Sequence, residues 1–206
     1  MTPKEYIKDG PQKPDDLIGK GKTIAKVFCA KVKSGVTDPI VLYCYGPPGI
    51  GKSATCKIIA KFVAGHSSGI RHLSAAQVTA EHIRDWMNEM NYISDQWKVF
   101  WIEEVDAVNP TVQILLLQLL DILPKKVAFL FTSNEQMSGI STRFQSRAQV
   151  MRFEAPKVAE VSKFLLKHWP ELGKVAHEIA ETNNGDVRAS LNDAQTEIDI
   201  QKYSKN

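Results

Sequence analysis

Short apolar runs alternate with amphipathic stretches as far as residue 156, and beyond it only amphipathic stretches remain. The runs at 40–45, 70–73, 99–102, 127–131 and 149–153 read as strands, and their alternation with helical patterns predicts a parallel sheet flanked by helices. Residues 20–33 predict an amphipathic helix, with Ile24, Val27 and Phe28 on one face and Lys22, Lys26 and Lys33 on another. A lysine stripe of this kind reads first as a solvated face, with a binding surface as the alternative. Residues 110–123 carry helix signals at both ends: Asn109 to cap it, Pro110 at its first position and Pro124 beyond it. Ile114, Leu115, Leu116, Leu117, Leu119 and Leu120 nearly encircle this helix, so it is expected inside the core, or else to present a leucine-rich partner surface.

The patterns at 158–169, 173–182 and 187–200 are helical. The expected architecture is therefore α/β: a parallel five-stranded sheet sandwiched by helices over residues 1–156, then a small all-helical domain over 157–206. At about 50 residues the second domain is too small to stand without packing on the first. Residues 1–18, polar and bearing Pro3, Pro11 and Pro14, read as an extended lead-in.

Composition narrows the setting without naming a chemistry. Hydrophobic residues make up 43% and charged residues 24% of 206, as in an ordinary globular protein. A net charge of +3 permits contact with nucleic acid but does not demand it. Cys29, Cys44 and Cys56 lack disulfide or zinc spacing, and His66, His72, His82, His168 and His177 form no ligand pattern, so a structural metal is not expected. The N-terminus has no signal-peptide core and no apolar run reaches membrane-spanning length, which together predict a cytoplasmic protein.

The chemistry is concentrated in Gly46-Pro-Pro-Gly-Ile-Gly-Lys52-Ser53, which leaves a predicted strand and opens a predicted helix at Ala54. That setting marks a P-loop. Its glycines let backbone N–H groups turn inward on a triphosphate, and the helix N-terminus adds partial positive charge. Gly46, Pro47, Pro48, Gly49, Ile50, Gly51, Lys52, Ser53 and Ala54 are thus candidate contacts for a nucleoside triphosphate. Lys52 is suited to the β- and γ-phosphates and Ser53 to Mg2+. A second feature is Lys98-Val-Phe-Trp-Ile-Glu103-Glu104, a buried strand with two acids at its carboxyl end, where ligands bind in open α/β sheets. Glu103 is a candidate for a Mg2+-bound water and Glu104 for polarising the attacking water, the plainer alternative being the start of a solvated loop. Asn134, at the tip of the strand 127–131 and its polar extension, is a candidate for holding that water, although Ser-Asn after a strand commonly just turns the chain.

In their order these motifs resemble those of the AAA+ ATPases, and within them the clamp loaders typified by replication factor C small subunits, from about residue 14 to residue 195. The resemblance implies that Gly46–Ser53 is the Walker A loop, that Glu103-Glu104 occupies the Walker B position with Glu104 as catalytic glutamate, and that Asn134 is sensor 1. It implies that Arg147, in Ser141-Thr-Arg-Phe-Gln-Ser146-Arg147, reaches the γ-phosphate of a neighbouring subunit. It also implies that Arg188, in Gly185-Asp-Val-Arg188, is sensor 2 of a helical lid. Asp16-Leu17-Ile18-Gly19 resembles the segment that holds the adenine, so Ile18 and Gly19 join the candidate nucleotide contacts.

Three positions depart from the family pattern. Glu103 stands where the family usually has Asp, one methylene shorter. Ala148 replaces the cysteine of the Ser-Arg-Cys motif. The residues end at Asn206, leaving none for the C-terminal collar into which clamp-loader subunits continue. The expected activity is ATP hydrolysis between the subunits of a homo- or hetero-oligomer, with DNA as a partner by family analogy. The alternatives are a loader or remodeller of a protein client without DNA, and an assembly switch with little turnover.

Overall fold

The computed structural model describes residues 1–92, 95–134, 144 and 146–204. Five strands, β1 (Ile40–Tyr45), β2 (Ile70–Ser74), β3 (Lys98–Glu103), β4 (Val127–Ser133) and β5 (Gln149–Arg152), form one sheet in the order β2-β3-β4-β1-β5. Every neighbouring pair is parallel. The inner strands are buried nearly throughout, β4 at all seven positions, whereas of the edge strands β2 is mostly part-exposed and β5 mostly exposed. Burial on both faces is why β1, β3 and β4 read as continuous apolar runs and not as alternating ones. Because all strands run the same way, Tyr45, Glu103 and Ser133 end on one edge of the sheet.

One sheet face, carrying Tyr43, Phe100, Ile102, Phe129 and Phe131, packs with Ile83, Trp86 and Met90 of α4 (Ala80–Asn91) and Val112, Leu116 and Leu119 of α5 (Pro110–Leu120). On the other face Cys44 of β1 meets Cys56 of α3 (Lys52–Ala64), sulfur to sulfur at 4.0 Å. Lys33, the last residue of α2 (Gly19–Lys33), lies over the Phe62 ring of α3.

Two expectations about helices are corrected. Helix α5 stops at Leu120 and is not apolar all round: Leu116 and Leu119 are fully buried, but Ile114 is 59% exposed. Residues 112, 116, 119 and 120 share one helical face, and position 114 lies off it. On α2, Val27 is likewise 47% exposed and does not belong with Ile24 and Phe28.

By its internal contacts the chain forms two compact units. One comprises residues 1–24, 47–55 and those from Phe153 onward; the other comprises 25–46 and 56–152, and contains the sheet. In the first, α6 (Val158–His168), α7 (Val175–Thr182) and α8 (Val187–Tyr203) enclose Val161, Leu165, Leu172, Ala176, Ala180 and Ala194. The N-terminal stretch is not an extended lead-in. It forms α1 (Pro3–Asp9), with a capping box in which the Thr2 N–H donates to Glu5 Oε2 (2.7 Å) and the Glu5 N–H to Thr2 Oγ1 (3.2 Å). Tyr6 of α1 packs edge-on against Phe164 and Trp169, and the Trp169 indole N–H donates to the Met1 carbonyl at 2.9 Å.

Candidate functional site

The phosphate loop takes its shape from backbone conformations only glycine adopts without strain. Gly49 has φ +76° and Gly51 φ +94°. At Gly49 a second reason applies: a Cβ there would stand 2.1 Å from Asp186 Oδ1. Asp186 caps α8, accepting from the Ala189 N–H at 2.9 Å, and two residues on the Arg188 N–H donates to the Gly49 carbonyl at 3.2 Å. The helix that bears Arg188 is thereby tied to the loop main chain to main chain. Lys52 is buried, and its ammonium donates to the Pro47 carbonyl at 2.5 Å, across the loop. Ile50 is buried, Pro47 and Pro48 are exposed, and Ser53 and Ala54 sit half-buried in the first turn of α3, a helix N-terminus of the kind that suits an anion.

The segment expected to meet the adenine lies in the same compact unit. The Asp16 carbonyl accepts from the Tyr6 hydroxyl at 2.8 Å, and Ile18 packs against the helical core. Gly19 opens α2, with Pro156 against its Cα. Ile18, Gly19, residues 47–54 and Arg188, far apart in sequence, thus share one unit, whereas Gly46, the first residue of the loop, falls in the other.

The acidic residues belong to the other unit. Glu103 ends β3, and His72 Nε2 of β2 stands 3.4 Å from its Oε2. Glu104 has the left-handed conformation φ +56°, ψ +46°, which costs a residue with a side chain about 1–3 kcal/mol and is characteristic of functional sites. Two neighbours hold it there. The Glu104 N–H donates to Thr132 Oγ1 at 3.3 Å, and Asn134 Nδ2 donates to Glu104 Oε1 at 3.1 Å. The pairing in the sheet explains this meeting: β3 and β4 are parallel neighbours, so the residues after each emerge side by side. Sequence reasoning chose Glu104 and Asn134 separately. Thr132 and His72 it missed, and only strand register would have pointed to them.

Arg147 lies near the other end of the sheet, just before β5. Its Nε donates to Asp121 Oδ1 (2.5 Å) and its Nη2 to Asp121 Oδ2 (2.7 Å), a two-pronged pairing with the residue that ends α5. Hydrogen bonding to Arg147 holds the Asp121 carboxyl below its ordinary pKa, and the same bond raises that of Arg147. Ser141, Thr142, Arg143 and Gln145 of the surrounding motif lie outside the described residues.

The candidate metal donors, the Ser53 hydroxyl and the Glu103 carboxylate, are hard oxygens of the kind Mg2+ prefers. Among the described residues no group of three or more His, Cys, Asp and Glu side chains gathers to form a metal cage. No helix among these residues is long and apolar enough to cross a membrane.

The chain is similar to known proteins both in sequence and in fold. The chain is 27% identical over 175 residues to a putative replication factor C small subunit of Acanthamoeba polyphaga mimivirus, covering 78% of this chain and 54% of that one. It is 25% identical over 205 residues to the replication-associated recombination protein A of Haemophilus influenzae, covering 92% of this chain and 44% of the relative. The chain thus spans about half the length of the curated relatives it matches. In fold it resembles the RuvB Holliday junction branch migration motor of Thermotoga maritima, with a TM-score of 0.74 at 19% identity over 95% of this chain and 67% of that one. Residues 42–155, which run from β1 through the phosphate loop, both acids and Arg147, match the ATPase family associated with various cellular activities (AAA), and the chain belongs to that family.

Proposed function

We propose that this chain binds ATP with Mg2+ and hydrolyses it at an interface between subunits, with residues 1–156 as the nucleotide-binding domain and 157–206 as a lid. The observation that carries the reading is Glu104, kept in a left-handed conformation with its carboxylate against the Asn134 amide. A carboxylate and an amide so joined, at the carboxyl edge of a parallel sheet, suit the positioning of a water molecule.

In this reading the backbone N–H groups of residues 46–54 cradle the phosphates, and Lys52 exchanges the Pro47 carbonyl for phosphate oxygens. Ile18 and Gly19 flank the base. Ser53 and Glu103 hold Mg2+, Glu103 partly through water, and the ion when bound neutralises charge on the phosphates. Glu104 accepts a hydrogen bond from the attacking water, and Asn134 keeps Glu104 and the water in place. Arg188 senses the phosphates within its own subunit. Arg147 leaves Asp121 to reach a neighbour's γ-phosphate, which makes the active form a head-to-tail oligomer. The similarity to replication factor C and recombination proteins supports coupling of hydrolysis to DNA replication or recombination.

The test is Glu104→Gln. Turnover is expected to fall by about 10²–10⁴-fold, the usual share of a positioned acid–base group, while ATP is still bound. A Glu104→Gln protein that hydrolyses ATP at the wild-type rate would sink the reading. Stimulation of the wild-type rate by primed single-stranded DNA tests the coupling, and stimulation by a protein partner alone would replace DNA with that partner.

A further inference from the structure

In the register of the β2–β3 pair, His72 lies opposite Trp101 and Ser74 opposite Glu103. Side chains two apart on a strand share a face, so His72, Trp101 and Glu103 all project from the same side of the sheet. The His72 ring lies flat on the Trp101 indole, with centroids 3.8 Å apart and planes 14° from parallel. Trp101 is itself only 6% exposed, so it is a fixed surface. Stacking on it leaves the imidazole little freedom about either of its torsions, and the Nε2 of the ring so held stands 3.4 Å from Glu103 Oε2.

Glutamate has one more rotatable bond than aspartate, and at the end of a strand that bond lets the carboxylate swing. From this geometry we infer that His72, braced by Trp101, is a positioning residue for Glu103, limiting the longer side chain to the orientation in which it serves Mg2+. The inference rests on the proposed role of Glu103. It requires a proton on Nε2, which the charged imidazole and the Nε2–H tautomer of the neutral ring both supply. An exposed ion pair alone would contribute little. What distinguishes this one is that a stacked, nearly buried platform fixes one partner. The contact is also open enough for a metal-bound water to reach the carboxylate, with Glu103's side chain 30% exposed.

The experiment measures binding of a fluorescent ATP analogue to the full chain as free Mg2+ is raised, and in EDTA. Lys52→Ala and Glu103→Ala serve as references. His72→Ala is expected to raise the half-saturating Mg2+ about tenfold, as loss of a partner that orients a metal ligand does, with affinity in EDTA unchanged. His72→Gln, whose amide nitrogen falls near the Nε2 position, is expected to restore it to within about twofold. In a Glu103→Asp background His72→Ala is expected to have no further effect, because the shorter acid does not reach the ring. A His72→Ala protein with wild-type or tighter Mg2+ dependence, or one that His72→Gln does not restore, overturns the inference. If Glu103→Ala itself leaves the Mg2+ dependence unchanged, it is the role of Glu103 that fails.

Discussion

The phosphate loop and the acidic edge of the sheet are built on different plans. Around the loop the recurring contacts involve main chain: Arg188 N–H to the Gly49 carbonyl, the Lys52 ammonium to the Pro47 carbonyl, and glycine conformations that leave room for Asp186. At the acidic edge and near Arg147 three charged side chains are met by other side chains: Glu103 by His72, Glu104 by Asn134, Arg147 by Asp121. A cradle of backbone groups is fixed by the fold and needs little rearrangement to receive an anion. Side-chain pairs can be exchanged, so the groups proposed for the chemical step are the ones a substrate or a neighbouring subunit can redirect.

Arg147 gives this contrast its most severe test. If its partner is exchangeable, Arg147→Ala should lower ATP turnover by about 10³-fold or more, the contribution of an arginine acting on the transferring phosphoryl group. Mixing that variant with Glu104→Gln should restore part of the activity, since each supplies what the other lacks across an interface. Asp121→Asn should instead raise turnover at low protein concentration, and by no more than a few-fold, because exposed ion pairs are weak. Steady-state ATPase rates against protein concentration decide both. Equal rates in Arg147→Ala and wild type would leave the Asp121 pair as a fixture of the surface.

What could be read in the residues follows the same division. Local patterns carried the five strands, the loop and the acids, because burial on both faces and glycine spacing leave marks within a few neighbouring residues. The capping box of α1 is equally local, in Thr2-Pro-Lys-Glu5, but polarity and three prolines alone make the segment read as extended. By contrast, the meetings of His72 with Glu103 and of Asp121 with Arg147 depend on register and on where a helix ends. Helix α5 shows the difficulty: its leucines suggested an apolar cylinder ending at 123, and only packing shows that Ile114 faces out and that Asp121 follows its last turn.

A smaller effect is expected where the loop meets α8. Asp186 caps α8 while its carboxylate lies against the bare Cα of Gly49. Asp186→Ala should destabilise the helical unit by about 1 kcal/mol, the usual cost of a lost cap, and loosen the hold of the Arg188 backbone on the loop. Asn at the same position keeps a capping oxygen and should recover most of the loss. Thermal denaturation with and without ADP separates the two effects: a cap alone predicts the same shift in both, whereas a tie to the phosphate loop predicts a larger shift with nucleotide.

The mildest prediction concerns acidity, and it sets the helical unit apart from the charged edge of the sheet. His168 packs among Tyr6, Phe164 and Trp169, and its Nε2 is buried with no hydrogen-bond partner among the described residues. Burial lowers its pKa from the ordinary value of 6.5; nearby Lys167 acts in the same direction, and Asp16 opposes them. The folded chain therefore favours the neutral ring. Its contribution to stability is complete above the unfolded pKa of about 6.5 and is lost as pH falls through the lower folded value. Acidification from pH 7.5 to 5.5 should thus lower the melting temperature, followed by tryptophan fluorescence, and His168→Phe should flatten that dependence. If the Phe variant keeps the wild-type slope, the acid sensitivity does not arise at His168.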